Sequence, residues 1–151
     1  MKSKVSEKIA YLQLFAYLAI FTIFVLGTTI VLHEMGHFFV GLLNQCTGQI
    51  ILLDSQSFST YTRLECAGAG NTQFLYLSSL LFVVPFAFSF LLLKGFPERY
   101  FSLMVLGIGI LSSANDLFVV SGSYAAVAFS YIVGGIIYWS GQVFMANEMF
   151  A

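Results

Sequence analysis

Four stretches of this chain, at 10–43, 74–93, 100–120 and 124–146, are long, apolar and almost free of charge, and nothing else in the sequence limits its fold so sharply. A helix needs roughly 20 mostly apolar residues to cross the hydrocarbon core of a bilayer. The 151 residues are 59% hydrophobic and 9% charged, whereas soluble domains average about 45–50% apolar and about 25% charged residues. The sequence therefore predicts one domain over 1–151, an integral membrane all-α bundle of about four transmembrane helices. A formal net charge of −1 without any basic block gives no nucleic-acid footprint. Partners are expected in or at the lipid bilayer.

The first run would make a helix of roughly 50 Å against a hydrocarbon core of about 30 Å, so it must tilt, protrude or break near Gly27-Thr28-Thr29. The preceding 1-MKSKVSEK-8 imitates the start of a signal peptide. The apolar run from Ile9 to Leu32 well exceeds the usual signal core of about 7–15 residues, however, and no small-residue cleavage site follows, so a retained transmembrane helix is expected. Between the first two runs lies the one long polar stretch, 44-NQCTGQIILLDSQSFSTYTRLECAGAGNTQ-73. Its β-rich Gln49–Leu53, turn-prone 54-DSQS-57 and alternating 58-FSTYTRLE-65 predict a short β-hairpin in the loop after the first helix. The other connections, 94-KGFPER-99 and 121-SGS-123, read as tight turns.

Five of the six basic residues, namely Lys2, Lys4, Lys8, Lys94 and Arg99, lie at the N-terminus or in the 94–99 turn. The positive-inside rule then places both termini and that turn in the cytoplasm and the 44–73 loop outside. Cys46 and Cys66 flank the hairpin; they are either a disulfide, which an extracytoplasmic loop permits, or two free thiols.

The chemistry is concentrated in 33-HEMGH-37, an H-E-x-x-H sequence inside the first apolar run. Four residues along a helix return the chain to within about 40° of azimuth and about 6 Å of rise, so His33 and His37 present imidazoles to a single ion. Glu34, roughly 60° in azimuth from His37 and roughly 100° from His33, lies to one side of the pair, able to reach a water on that ion without being a ligand. Both histidines of the chain lie in this motif. Unpaired, these ionisable groups would cost several kcal/mol in hydrocarbon, so metal binding is the expected reason for them. Zn2+, one per chain, suits the residue types: three protein ligands leave a fourth position for water, whose pKa falls to near 7 while a carboxylate takes its proton.

A third ligand must come from Glu7, Asp54, Glu65, Glu98, Asp116 or Glu148. Only Asp116, in 112-SSANDLFVV-120, lies inside an apolar segment, while Glu98 and Glu148 are expected to be solvated near helix ends. Ser112, Ser113 and Ala114 would let its helix approach the first closely, and Asn115 is a candidate hydrogen-bonder to a ligand or substrate backbone.

These features together resemble the site-2 protease family of intramembrane zinc metalloproteases: H-E-x-G-H within a transmembrane helix, a β-rich loop, a second helix and an aspartate in a third. The resemblance covers roughly residues 20–120 and is sharpest over 32-LHEMGHFFVG-41. It implies zinc ligation by His33, His37 and Asp116, Glu34 as catalytic general base, and a substrate that is a transmembrane segment of another protein. The chain departs from the family where Asp116 is followed by Leu117 instead of Gly, and where 67-AGAGN-71 lacks the family's Pro and shifts its Asn. The resemblance also implies a site nearer the cytoplasmic side, whereas the charge count puts it nearer the outside.

Two other readings stay open: a non-catalytic metal-binding membrane protein or accessory subunit that retains the helix motif, and a membrane metalloprotease of another family with a glutamate as third ligand. Because a substrate helix must be unwound before hydrolysis, an edge of the 49–65 hairpin is expected either to hold it by strand addition or simply to plug the bundle. Gly107 and Gly109, with Gly134 and Gly135, are expected to mark close packing of the third and fourth runs. Tyr138 and Trp139 are expected to serve lipid contacts and interfacial anchoring.

Overall fold

The computed structural model describes residues 2–55, 59–66, 72–93, 95 and 98–150, without the side chains of 2–8, 72, 73 and 150. The hairpin tip at 56–58, the 67-AGAGN-71 stretch and, within the 94–99 turn, Lys94, Phe96 and Pro97 lie outside the described residues. Among the described residues, five helices and two strands follow in the order α1 (Lys2–Leu43), β1 (Cys46–Ile51), β2 (Tyr61–Cys66), α2 (Thr72–Leu91), α3 (Glu98–Ser112), α4 (Ala114–Ser121) and α5 (Tyr124–Phe150).

Of these, α1, α2 and α5 are each long and apolar enough to cross a membrane, and so are α3 and α4 together, as a pair bent by 42°. The predicted third run is thus two helices. Ser112 and Ser113 both turn their hydroxyls back onto the carbonyl of Gly109, at 3.0 and 2.8 Å. Side-chain competition for a backbone acceptor bends helices at such positions, and α4 restarts with Ser113 at its N-cap.

The 42-residue α1 runs without interruption past Gly27-Thr28-Thr29. Thr29 is fully buried and bonds the Val25 carbonyl at 2.7 Å, so its hydroxyl is satisfied within the helix and no break is needed. Helix α3 is central, packed against α1, α2 and α5. Val25, Val83, Met104, Val105, Ile108 and Met145 form the core beside it.

Small hydroxyl residues are buried beside that apolar core, while many large apolar residues face outward. Thr29, Ser78, Ser79, Ser102, Ser113 and Ser130 are buried, whereas Leu12, Phe15, Ile20 and Ile23 are each about 70% exposed. Exposed apolar surface on this scale is unusual for a protein in water.

Where helices touch most closely, glycine removes the obstacle. At Gly107 a Cβ would stand 2.7 Å from the Gly134 carbonyl of α5, and at Gly134 the same distance from the Gly107 carbonyl. Gly109 instead faces Val83 of α2, and Gly135 faces open space, so only one glycine from each expected pair makes the α3–α5 contact. Tyr138 also differs from expectation: its hydroxyl donates to Thr22 Oγ1 at 3.1 Å and accepts from Gln142, bridging α5 to α1, while Trp139 stays exposed.

The hairpin is antiparallel with Cys46 opposite Cys66 and Ile51 opposite Tyr61. The strands lie nearer the helices than the sequence suggests, because Leu53 adopts a left-handed φ of 58° and cannot continue β1. Cys46 and Cys66 are disulfide-bonded with Cα atoms 4.1 Å apart, which decides between the two readings of the cysteines.

Candidate metal centre

His33 and His37 lie one turn apart in α1, and the bend at Ser113 carries Asp116, in the first turn of α4, to meet them. His33 Nε2 and His37 Nε2 are 3.2 Å apart, and Asp116 Oδ2 is 3.2 Å from each. Three donor atoms thus stand at the corners of a nearly equilateral triangle. Tetrahedral bonds of 2.0–2.1 Å, as zinc makes to nitrogen and oxygen, put neighbouring ligand atoms about 3.3 Å apart. The group is the right size for such an ion.

The outer nitrogens of both rings are committed. His37 Nδ1 lies 2.9 Å from the Leu75 carbonyl, which only accepts, so Nδ1 carries the proton and a neutral ring leaves Nε2 with a bare lone pair. His33 Nδ1 lies 3.1 Å from Ser112 Oγ, whose own proton goes to Gly109, so here too the ring nitrogen donates. The two inner nitrogens and the Asp116 oxygen thus face one another across 3.2 Å, and a divalent cation would fit both the spacing and the donor set.

Closeness of α1 to α2 makes the His37 bond to Leu75 possible. At Gly36, inside the motif, a Cβ would stand 2.6 Å from the Ser78 carbonyl and 2.7 Å from Ser79 Cα. Ser79, fully buried, points its hydroxyl at Asp116 Oδ2 from 3.4 Å.

The three donors open onto a cavity of about 710 Å3. Glu34 and Asn115 share its wall with Thr62 and Tyr61 of β2 and Tyr76 of α2. Glu34 is 7% exposed, and Thr62 Oγ1 lies 2.8 Å from its Oε2. Water admitted through this cavity would find a carboxylate and a cation cradle on the same wall.

No protein-family model, curated protein or solved structure matches the chain.

The other acids with described side chains take no part among the three donors. Arg63 pairs with Glu65 on the exposed hairpin face at 3.6 Å. Glu148, expected to be solvated, accepts from Arg99 at 2.9 Å and from the Tyr100 hydroxyl, tying α5 to the start of α3. Thr62, Leu75 and Ser78 carry no mark of these contacts in the sequence, and Ser112 reads there as a small packing residue. A hydroxyl at each polar position gives no sign of its partner until the helices are placed.

Proposed function

We propose that this chain is a four-span intramembrane zinc metalloendopeptidase, akin to the site-2 protease family, that hydrolyses peptide bonds in transmembrane segments of other proteins. The observation that carries this reading is the triangle of His33, His37 and Asp116 donors opening onto the cavity that Glu34 also lines. His33, His37 and Asp116 would hold the ion, which when bound supplies Lewis acidity towards a carbonyl and acidifies water. Glu34 takes the proton from the attacking water and delivers it to the leaving amine, the part a buried carboxylate can play in both directions. Ser112 and Leu75 keep the two imidazoles in one tautomer. Asn115, exposed on the cavity wall, is placed to hydrogen-bond the main chain of a substrate.

The length of the apolar helices and their apolar exterior support a membrane location, with α3 and α4 forming one bent span. Four spans would put both termini on one side, the cytoplasmic one by the charge bias. A disulfide beside the cavity agrees with a hairpin on the oxidising side.

The test is cleavage of a panel of reconstituted transmembrane peptides by wild type and by Glu34→Gln, with zinc measured in both. Zinc retained and cleavage lost in Glu34→Gln is the expected result. Equal cleavage by the two proteins contradicts the mechanism, and zinc binding without cleavage by the wild type leaves a metal-binding membrane protein as the better reading.

A further inference from the structure

Strand β2 is seated on α1 at two points. Leu64 lies against Gly41, where a Cβ would stand 2.7 Å from a Leu64 methyl carbon. One strand repeat away, Thr62 Oγ1 is 2.8 Å from Glu34 Oε2 and 3.0 Å from the Glu34 main-chain carbonyl. Thr62 and Leu64 are half-buried on the face turned to α1, and Tyr61, Arg63 and Glu65 between and beside them are exposed. The apolar contact is ordinary packing, but the polar one falls on the carboxylate proposed as the base.

A glutamate side chain free to rotate spends much of its time out of line with a substrate, and orientation errors of this kind are costly in rate. With Oε2 accepting from a hydroxyl on a strand, the carboxylate is held and Oε1 remains to receive a proton. We propose that Thr62 is the positioning residue for Glu34, so that the seating of the hairpin on α1 aligns the base. The inference rests on the peptidase reading. It also couples substrate capture to chemistry: a peptide bound beside β2 would steady the strand that steadies Glu34.

Threonine also favours strands through its branched Cβ, a part that valine plays equally well. The substitution Thr62→Val keeps shape and removes the hydroxyl, while Thr62→Ser keeps the hydroxyl and removes the methyl. The experiment uses the full-length zinc-loaded protein in liposomes, with two readouts: kcat and KM for a transmembrane peptide, and affinity for acetohydroxamic acid, a zinc ligand whose proton a well-placed Glu34 must accept. Thr62→Val should lower kcat by about 10–100-fold, the range for loss of a group supporting a metal site. KM and zinc content should stay as in wild type, hydroxamate affinity should fall in parallel, and Thr62→Ser should recover most of both.

Wild-type kcat and hydroxamate affinity in Thr62→Val would overturn the proposal. So would equal impairment of the valine and serine variants, or loss of zinc in the valine variant, since each marks a structural role. Failure of the peptidase reading looks different: there Glu34→Gln cleaves as well as wild type, or wild type cleaves nothing. Should Glu34→Gln be inactive while Thr62→Val is fully active, the role of Thr62 alone is refuted.

Discussion

The hydroxyl of Ser112 accepts the Nδ1 proton of His33 at 3.1 Å and spends its own proton on the Gly109 carbonyl at 3.0 Å. One side chain thereby sets the tautomer of a proposed ligand and, with Ser113, contributes to the bend that brings in Asp116.

Replacing Ser112 by Ala removes the acceptor and frees His33 to place its proton on Nε2. Zinc affinity should fall about 10–100-fold, the usual effect of losing a partner that orients a ligand. Competition with a chelator of known affinity measures it. Undiminished affinity would show that the His33 ring is oriented by packing alone.

Gly36→Ala separates propensity from packing. In an exposed helix the change would stabilise by about 1 kcal/mol. Here the added carbon meets main-chain atoms of Ser78 and Ser79 that no rotamer can move aside, and overpacking of this kind costs about 1–3 kcal/mol. The variant should therefore unfold at lower temperature in detergent and bind zinc less well, because α2 carries the carbonyl that holds His37. A rise in thermal stability would contradict the close contact.

With Cys46 and Cys66 bonded, the untreated protein should not react with a thiol reagent, and after reduction it should react only from the extracytoplasmic side. Cross-links closing loops of this length stabilise by about 2–4 kcal/mol. The double variant Cys46→Ser/Cys66→Ser should thus keep its helices while limited proteolysis cuts the hairpin faster. Labelling from the cytoplasmic side would reverse the proposed orientation.

If an edge of the hairpin receives substrate as an added strand, proline on that edge, at Arg63 of β2 or at Gln49 of β1, should reduce cleavage of a transmembrane peptide at least tenfold and leave zinc content unchanged, since proline removes a main-chain donor. Unimpaired cleavage in both variants would favour a hairpin that only plugs the bundle.

Much of this was legible in the sequence because the signals were local. Apolar run length gave the helices, and four-residue spacing gave the facing histidines. Asp116 stood out as the one acid other than the motif's Glu34 within an apolar run. What escaped depended on long-range placement. Ser113 is the exception, since its acceptor Gly109 is only four residues back, but a serine that bonds back in this way need not break a helix. Thr62 lies 28 residues from Glu34, in a strand whose alternation predicts which face is buried but not which atom waits there. Tyr138 looked like an interfacial anchor because its partner, Thr22, lies on a different helix.

The central claim is that His33, His37 and Asp116 form a zinc cradle, and X-ray absorption at the zinc edge of the purified, zinc-loaded protein tests it most directly. The account predicts one ion per chain with two imidazoles and only oxygen besides, at about 2.0–2.1 Å, and loss of the ion in His37→Ala and Asp116→Asn. No stoichiometric zinc in the wild type, sulfur in the coordination shell, or an unchanged spectrum in Asp116→Asn would contradict it.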